Sequence, residues 1–174
     1  MSEPNPKEIP PAWWFRLLFG RRPKRTLFRL LALVAASIFI FKFVLIPIRV
    51  TGTSMEPTYR NGAVNFINCW AYAWHPIRRG DVVGIKYVES KVLLLKRVVG
   101  LPGETISIEN GTVYINGTPL PEPYVRRKNL HWQEPRILLG PFAVYVIGDN
   151  RGMPIADHVH GKRDQHLILG KVLF

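Results

Sequence analysis

With a single cysteine, Cys69, the chain has no partner for an intrachain disulfide and no thiolate set for a cysteine-based metal site. Acidic residues are scarce as well: 12 Asp and Glu stand against 24 Lys and Arg, a formal net charge of +12 over 174 residues. Such basicity raises nucleic-acid binding as a function. No RNA- or DNA-binding motif accompanies it, however, and the early basic cluster Arg21-Arg22-Pro23-Lys24-Arg25 sits beside an apolar run, the pattern of a cytoplasmic membrane flank. No small-x-small site follows that run, which argues against a cleaved signal peptide. No internal repeat is visible beyond two Asn-Gly turns. An apolar fraction of 47% excludes a disordered or collagen-like chain and leaves room for one domain with appendages.

Three segments emerge in order. Residues 1–26 read as a loose cytoplasmic tail with a basic flank. Within it, Trp13-Trp14-Phe15 with Arg16, Arg21 and Arg22 fits either an interfacial segment or an ordinary amphipathic turn. Residues 27–48 form the apolar run, uninterrupted from Leu30 to Phe41 apart from Ser37. As a helix its twenty-two residues rise about 33 Å, enough for a hydrocarbon core of about 30 Å. The run is apolar on all sides, unlike the amphipathic stripe of a soluble surface helix. Arg29 and Lys42 lie near its ends, where they can snorkel. The expectation is a single-pass anchor in the cytoplasmic (inner) membrane, with the N-terminus in the cytoplasm and residues 49–174 on the extracytoplasmic side.

Those last residues are patterned for a mostly β fold. Val64–Ile67, Asp81–Val88, Val92–Val99, Thr105–Ile108, Thr112–Ile115 and Phe142–Ile147 are short, rich in Val, Ile and aromatics, and bounded by Gly, Pro or Asn. Ile106 to Ile115 alternates around Asn110-Gly111, a strong hairpin signal. Asn110-Gly111-Thr112 and Asn116-Gly117-Thr118 also match the glycosylation sequon, but Asn-Gly turns account for both. Trp70, Tyr72 and Trp74 crowd into five residues and suit either a core or a membrane interface.

The chemistry centres on Gly52-Thr53-Ser54-Met55-Glu56-Pro57-Thr58. A serine in a turn between glycine and proline is a plausible nucleophile, although such serines often only bond their own backbone. A serine hydroxyl needs a base. His75, His131, His158, His160 and His166 are scattered, form no evident triad and read as surface residues. The alternative base is Lys96, which follows Val92-Leu93-Leu94-Leu95. At a pKa of about 10.4 only about one lysine in a thousand is neutral near pH 7.5; lowering it by about 2 units makes about a tenth neutral, at a cost of about 3 kcal/mol. Burial in an inward-facing strand position supplies a shift of that size. Periodicity does not decide which way Lys96 faces, because Leu93, Leu94 and Leu95 make both faces apolar.

Four motifs occur in order: Thr53-Ser54-Met55-Glu56-Pro57-Thr58, Arg79-Gly80-Asp81-Val82-Val83, Lys96-Arg97-Val98-Val99-Gly100-Leu101-Pro102-Gly103-Glu104 and Gly148-Asp149-Asn150-Arg151. Together with the preceding apolar run they resemble the bacterial type I signal peptidase (leader peptidase) family of membrane-bound Ser/Lys serine proteases. The resemblance covers about residues 25–174. It implies coiled antiparallel β-sheets behind one transmembrane helix, Ser54 as nucleophile, Lys96 as general base and the Ser54 backbone N–H as oxyanion donor. It further implies exported preproteins with small residues before the cleavage site as substrates, the lipid bilayer as a partner, and neither cofactor, metal nor nucleic acid. Arg97, Asp149, Arg151 and Asp157 are expected to support the site, with Asp149 and Arg97 or Arg151 as an ion pair.

Two departures from the family pattern stand out. Gly52 occupies the position where some members carry a hydroxyl that adds a second oxyanion donor. After Gly148-Asp149-Asn150-Arg151 the chain runs Gly152-Met153-Pro154-Ile155-Ala156-Asp157-His158-Val159-His160-Gly161, without the serine that holds the lysine amine in typical members. An ungapped alignment sets Ala156, Asp157 and His158 under the family's Asp-Ser-Arg, whereas a one-residue slip gives Asp157 the aspartate's place. A carboxylate at Asp157 close to Lys96 would favour the ammonium. These departures leave room for a specialised processing peptidase, of the pilin or conjugation type, or for an inactive membrane-bound scaffold. A soluble Ser/Lys self-cleaving repressor fits less well, because the chain has an anchor and lacks a DNA-binding domain.

Overall fold

A computed structural model of the chain describes residues 23–86 and 93–173; the aromatic and basic segment 13–22 lies outside them. The chain forms two compact units, residues 1–41 and 42–174. In the first, helix α1 spans Pro23–Phe39. A π-helical turn follows at Ile40–Val44. Residues 24–44 make one helical stretch of 21 residues, long and apolar enough to cross a membrane, with a mean hydropathy of 2.2 and no buried part. Leu27, Phe28, Leu31, Leu33, Val34, Ile38 and Phe41 all point outward. A helix this apolar on every side is stable only where its surroundings are apolar too.

The apolar run does not stay helical to Ile48. Leu45–Arg49 forms strand β1, paired antiparallel with β2 (Val64–Asn68) from Leu45↔Asn68 to Arg49↔Val64. Pro47 and the β-branched Ile46 and Ile48 explain the change, since proline breaks a helix interior but is tolerated on an edge strand.

The second unit is mostly antiparallel β. A short helix α2 (Ala71–Trp74) follows β2, and then come β3 (Val82–Lys86), β4 (Leu93–Gly100), β5 (Thr105–Glu109), β6 (Thr112–Ile115), β7 (Thr118–Pro119), β8 (Glu134–Leu138), β9 (Ala143–Ile147), β10 (Gly161–Asp164) and β11 (Ile168–Val172). They build a seven-stranded sheet, β1-β2-β11-β3-β4-β9-β10, and a four-stranded sheet, β7-β6-β5-β8. Strands β3 and β9 are continuous apolar runs because they lie inside the larger sheet and bury nearly every residue. The β5–β6 hairpin has the expected register, Ile106↔Ile115 to Glu109↔Thr112, with Asn110 at φ 48° and Gly111 at φ 72°. Both positive angles are those a two-residue type I′ turn demands.

Three apolar clusters hold the sheets. Val83, Ile85, Val98, Val144 and Val146 pack on the central strands, while Val50, Met55, Tyr59, Ile67, Val82 and Val172 pack beneath the loop that follows β1. The third joins the smaller sheet to β9 around Trp132, which is fully buried and donates its indole N–H to the Met153 carbonyl at 2.7 Å. Of the aromatic group after β2, Tyr72 donates its hydroxyl to Asp81 at 3.2 Å, whereas Trp74 is 79% exposed.

Because Trp132 fills the third cluster and anchors the 150–160 loop, Trp132→Ala should lower unfolding free energy by about 3–5 kcal/mol. Denaturant titration of the detergent-solubilised chain, followed by near-UV circular dichroism, measures this.

Candidate active site

Three elements converge: the loop between β1 and β2, strand β4, and the loop after β9. The first loop is tied at its base by Val50 N–H to the Ala63 carbonyl and Gly62 N–H to the Val50 carbonyl, each 2.8 Å. Gly52 turns the chain at φ 93°, a region where an L side chain is strained. Met55 and Tyr59 plug the loop into the core. Ser54 is thereby held half-buried at the rim of a cleft of about 80 Å³ lined by Arg49–Gly52, Ser54, Met55 and Leu93–Lys96.

Lys96 lies in β4, opposite Val83 of β3, and only 3% of it is exposed. Its Nζ donates to Ser54 Oγ at 2.7 Å. Burial pushes the amine well below the ordinary lysine value, to about 8. Asp149 works against this shift and the positive charge of Arg163 works with it, but desolvation is the largest cause. A base at about 8 is about one-quarter neutral near pH 7.5, some hundreds of times more than an exposed lysine.

Asp149 is prevented from capturing the amine by a better partner. Arg97 grips it with two bonds, Nε to Oδ1 at 2.8 Å and Nη2 to Oδ2 at 2.6 Å, and also donates Nη1 to the Gly80 carbonyl at 2.7 Å. Thr58 adds its hydroxyl to Asp149 Oδ2 at 2.5 Å. The Arg97 guanidinium stacks 4.1 Å from the Tyr124 ring centroid. Such a bidentate, stacked arrangement suits arginine and not lysine. Asp149 thus joins the Ser54 loop to β4. Asn150 adds a second tie, its backbone N–H to the Ser54 carbonyl at 3.0 Å and its side-chain amide to the Thr53 carbonyl at 3.1 Å.

Arg151 takes a different partner from the one expected for its neighbour. It is fully buried, donates Nε to the Gly148 carbonyl at 2.8 Å, and pairs both terminal nitrogens with Glu122. Removing one side of a buried pair leaves an uncompensated charge, so each residue secures the other. Glu122 lies in a stretch of turns with no motif around it, which is why the sequence alone does not point to it.

Comparison with known proteins gives the family. The family model described as signal peptidase, peptidase S26, matches residues 24–153. The chain belongs to this family. Signal peptidase I of Bacillus amyloliquefaciens is 38% identical over 127 residues, covering 68% of this chain and 66% of that protein. Probable signal peptidase I-1 of Synechocystis is 32% identical over 153 residues, covering 83% of this chain and 77% of that one. A crystal structure of a signal peptidase I from Enterococcus faecalis V583 aligns with TM-score 0.47 at 24% identity, covering 57% of this chain and 98% of that chain.

Within this S26 member, both departures from the family pattern have a structural outcome. Gly52 N–H donates to Asn61 Oδ1 at 3.1 Å, so that amide is already occupied. Asp157 closes a short 3-10 turn, Ile155–Asp157, and is exposed; the carboxylate whose charge acts on Lys96 is Asp149. The residue that turns inward is His158. It is 2% exposed, and a Cβ on Gly148 would lie 2.6 and 2.7 Å from its ring and 2.2 Å from the Ser54 carbonyl oxygen. Neither the histidine position nor its burial is legible in the sequence, where five histidines look alike.

Gly148 is therefore the point where the Ser54 backbone and the loop after β9 touch. The backbone oxygen cannot yield as a flexible side chain does, so Gly148→Ala should displace Ser54 from Lys96. The expected outcome is at least about a hundredfold loss of peptidase activity, measured by peptide cleavage with folding checked by circular dichroism.

Proposed function

We propose that this chain is a membrane-bound serine endopeptidase that removes N-terminal signal peptides from exported preproteins. The observation that carries the reading is the 2.7 Å contact between Ser54 Oγ and the buried amine of Lys96. Family membership supports the substrate class, as do relatives named signal peptidase I and probable signal peptidase I-1. The apolar stretch 24–44 supports attachment to the bilayer, and the basic residues before it favour a cytoplasmic N-terminus and an extracytoplasmic catalytic unit.

The chemistry follows from the charge states. Neutral Lys96 accepts the Ser54 proton as Oγ attacks the scissile carbonyl carbon. The Ser54 backbone N–H donates to the oxyanion. Lysine, now an ammonium, gives its proton to the departing amine, leaving an acyl-enzyme ester on Ser54 and a neutral lysine again. Lys96 then takes a proton from water, which attacks the ester, and returns it to Ser54 Oγ as the acyl group leaves. The same amine serves twice, so its pKa must lie near the working pH. The cleft of about 80 Å³, walled by Leu93, Leu95, Val50 and Met55, suits small apolar side chains before the scissile bond.

Three groups hold supporting roles in this reading: Arg97 and Asp149 fix β4 to the Ser54 loop, and Arg151 fixes the loop after β9. Asp157, exposed at its turn, is left to shape that loop alone.

Purified full-length protein in detergent should cut a model preprotein after its small-x-small site, and both Ser54→Ala and Lys96→Ala should lose at least about a thousandfold of that activity. A parent that cuts no preprotein, or a Lys96→Ala variant that cuts normally, contradicts the proposal. Because the base works only when neutral and its pKa is lowered to about 8, kcat/KM should rise tenfold per pH unit below 8 and level off above it. A pH–rate profile from 6 to 10 checks this.

A further inference from the structure

His158 stands out among the buried polar groups. Neither ring nitrogen has a hydrogen-bond partner, and burying such a group unsatisfied is destabilising. The Ser54 carbonyl lies near enough to favour a protonated ring, yet forms no hydrogen bond of good geometry. A residue retained at that cost, where a plain apolar side chain would fit, calls for a reason.

Its position supplies one. The ring edge carrying Cε1 and Nε2 crowds the same face of Gly148 as the Ser54 carbonyl does. Behind it the Trp132 ring stands edge-on, with centroids 5.0 Å apart, and so closes the far side. His160 sits 6.2 Å away, with one nitrogen directed at the His158 carbonyl and the other at Glu134 (3.0 Å). The ring is thus wedged between the Ser54 backbone and the core.

Resting on the Ser/Lys reading above, we propose that His158 is a positioning residue of the dyad: an uncharged wedge that seats the Ser54 backbone and keeps water away from Lys96. Burial, followed by the charges of Lys96, His160 and Arg151, lowers the His158 pKa to about 3, so the ring stays neutral throughout the working range. The charged groups acting on Lys96 itself are Asp149, engaged by Arg97, and Arg163 on β10. The His158 variants leave both of these groups unchanged, so a moved profile reports the environment of the lysine.

The test compares pH–rate profiles of the full chain in detergent for the parent, His158→Ala and His158→Met. The alanine variant opens the wedge to water. Its profile midpoint should move up by about one unit, so that its loss of kcat/KM relative to the parent is about tenfold greater at pH 7 than at pH 10. Methionine, of similar volume and without ring nitrogens, should keep the parent midpoint. An unchanged midpoint in His158→Ala overturns the inference. So does a loss in His158→Met that is equal at every pH, because the ring nitrogens would then act directly. If the alanine variant does not fold, His158→Val takes its place: its smaller side chain should also move the midpoint up, and an unchanged midpoint overturns the inference. A parent with no activity sinks the dyad reading itself, which is a different failure from an active parent with indifferent variants.

Discussion

An amine can serve as a base near neutral pH only if water is kept from stabilising its charged form, and the β unit around Lys96 is built in a way that meets this requirement. Lys96 is placed in β4, one of the inner strands of the seven-stranded sheet, where β3 and β9 flank it and the Ser54 loop covers it. The desolvation that lowers its pKa is the same physical effect that makes the surrounding Val83, Val98 and Val146 a core. Site and fold are therefore not separable here. Loosening the sheet or the loop would wet the amine and return it toward the ordinary lysine value.

Charge around the amine is managed by pairing. A free Asp149 would hold Lys96 as an ammonium, and the bidentate grip of Arg97 spends that carboxylate elsewhere. Glu122 does the same for Arg151, allowing an arginine to be fully buried behind the site. Both pairs also brace backbone: Arg97 holds the Gly80 carbonyl and Arg151 the Gly148 carbonyl. The polar network thereby sets loop positions that apolar packing alone specifies poorly.

Much of this was legible in the sequence, and what was not has physical causes. The strands rich in Val, Ile and aromatics appear where the patterning places them, because inner strands need apolar residues on both faces. Strands β1, β7, β8, β10 and β11 carry no such pattern; the first four are sheet edges, whereas β11 is an inner strand whose short apolar run is broken by Gly170 and Lys171. Pro47, Pro119 and Pro135 mark three of the edges and Lys162, Arg163 and Asp164 the fourth; these are residues that protect an edge and at the same time erase the strand signal. Ser54 and Lys96 could be named from ordered motifs, but their 2.7 Å contact joins residues 42 positions apart and needed the sheet. His158 and Glu122 were hidden for the opposite reason: each lies in a turn-rich stretch where local pattern says nothing about which side chain turns inward.

The central claim is that burial holds Lys96 near neutrality, and titrating it directly tests that claim most sharply. Heteronuclear NMR of the lysine side-chain amines in the detergent-solubilised full chain, with Lys96 assigned by its absence in Lys96→Met, gives its midpoint without reference to any substrate. The account predicts a midpoint near 8. A midpoint at the ordinary lysine value would mean that the amine is wet and charged at working pH, and the account of Lys96 as the base would fall.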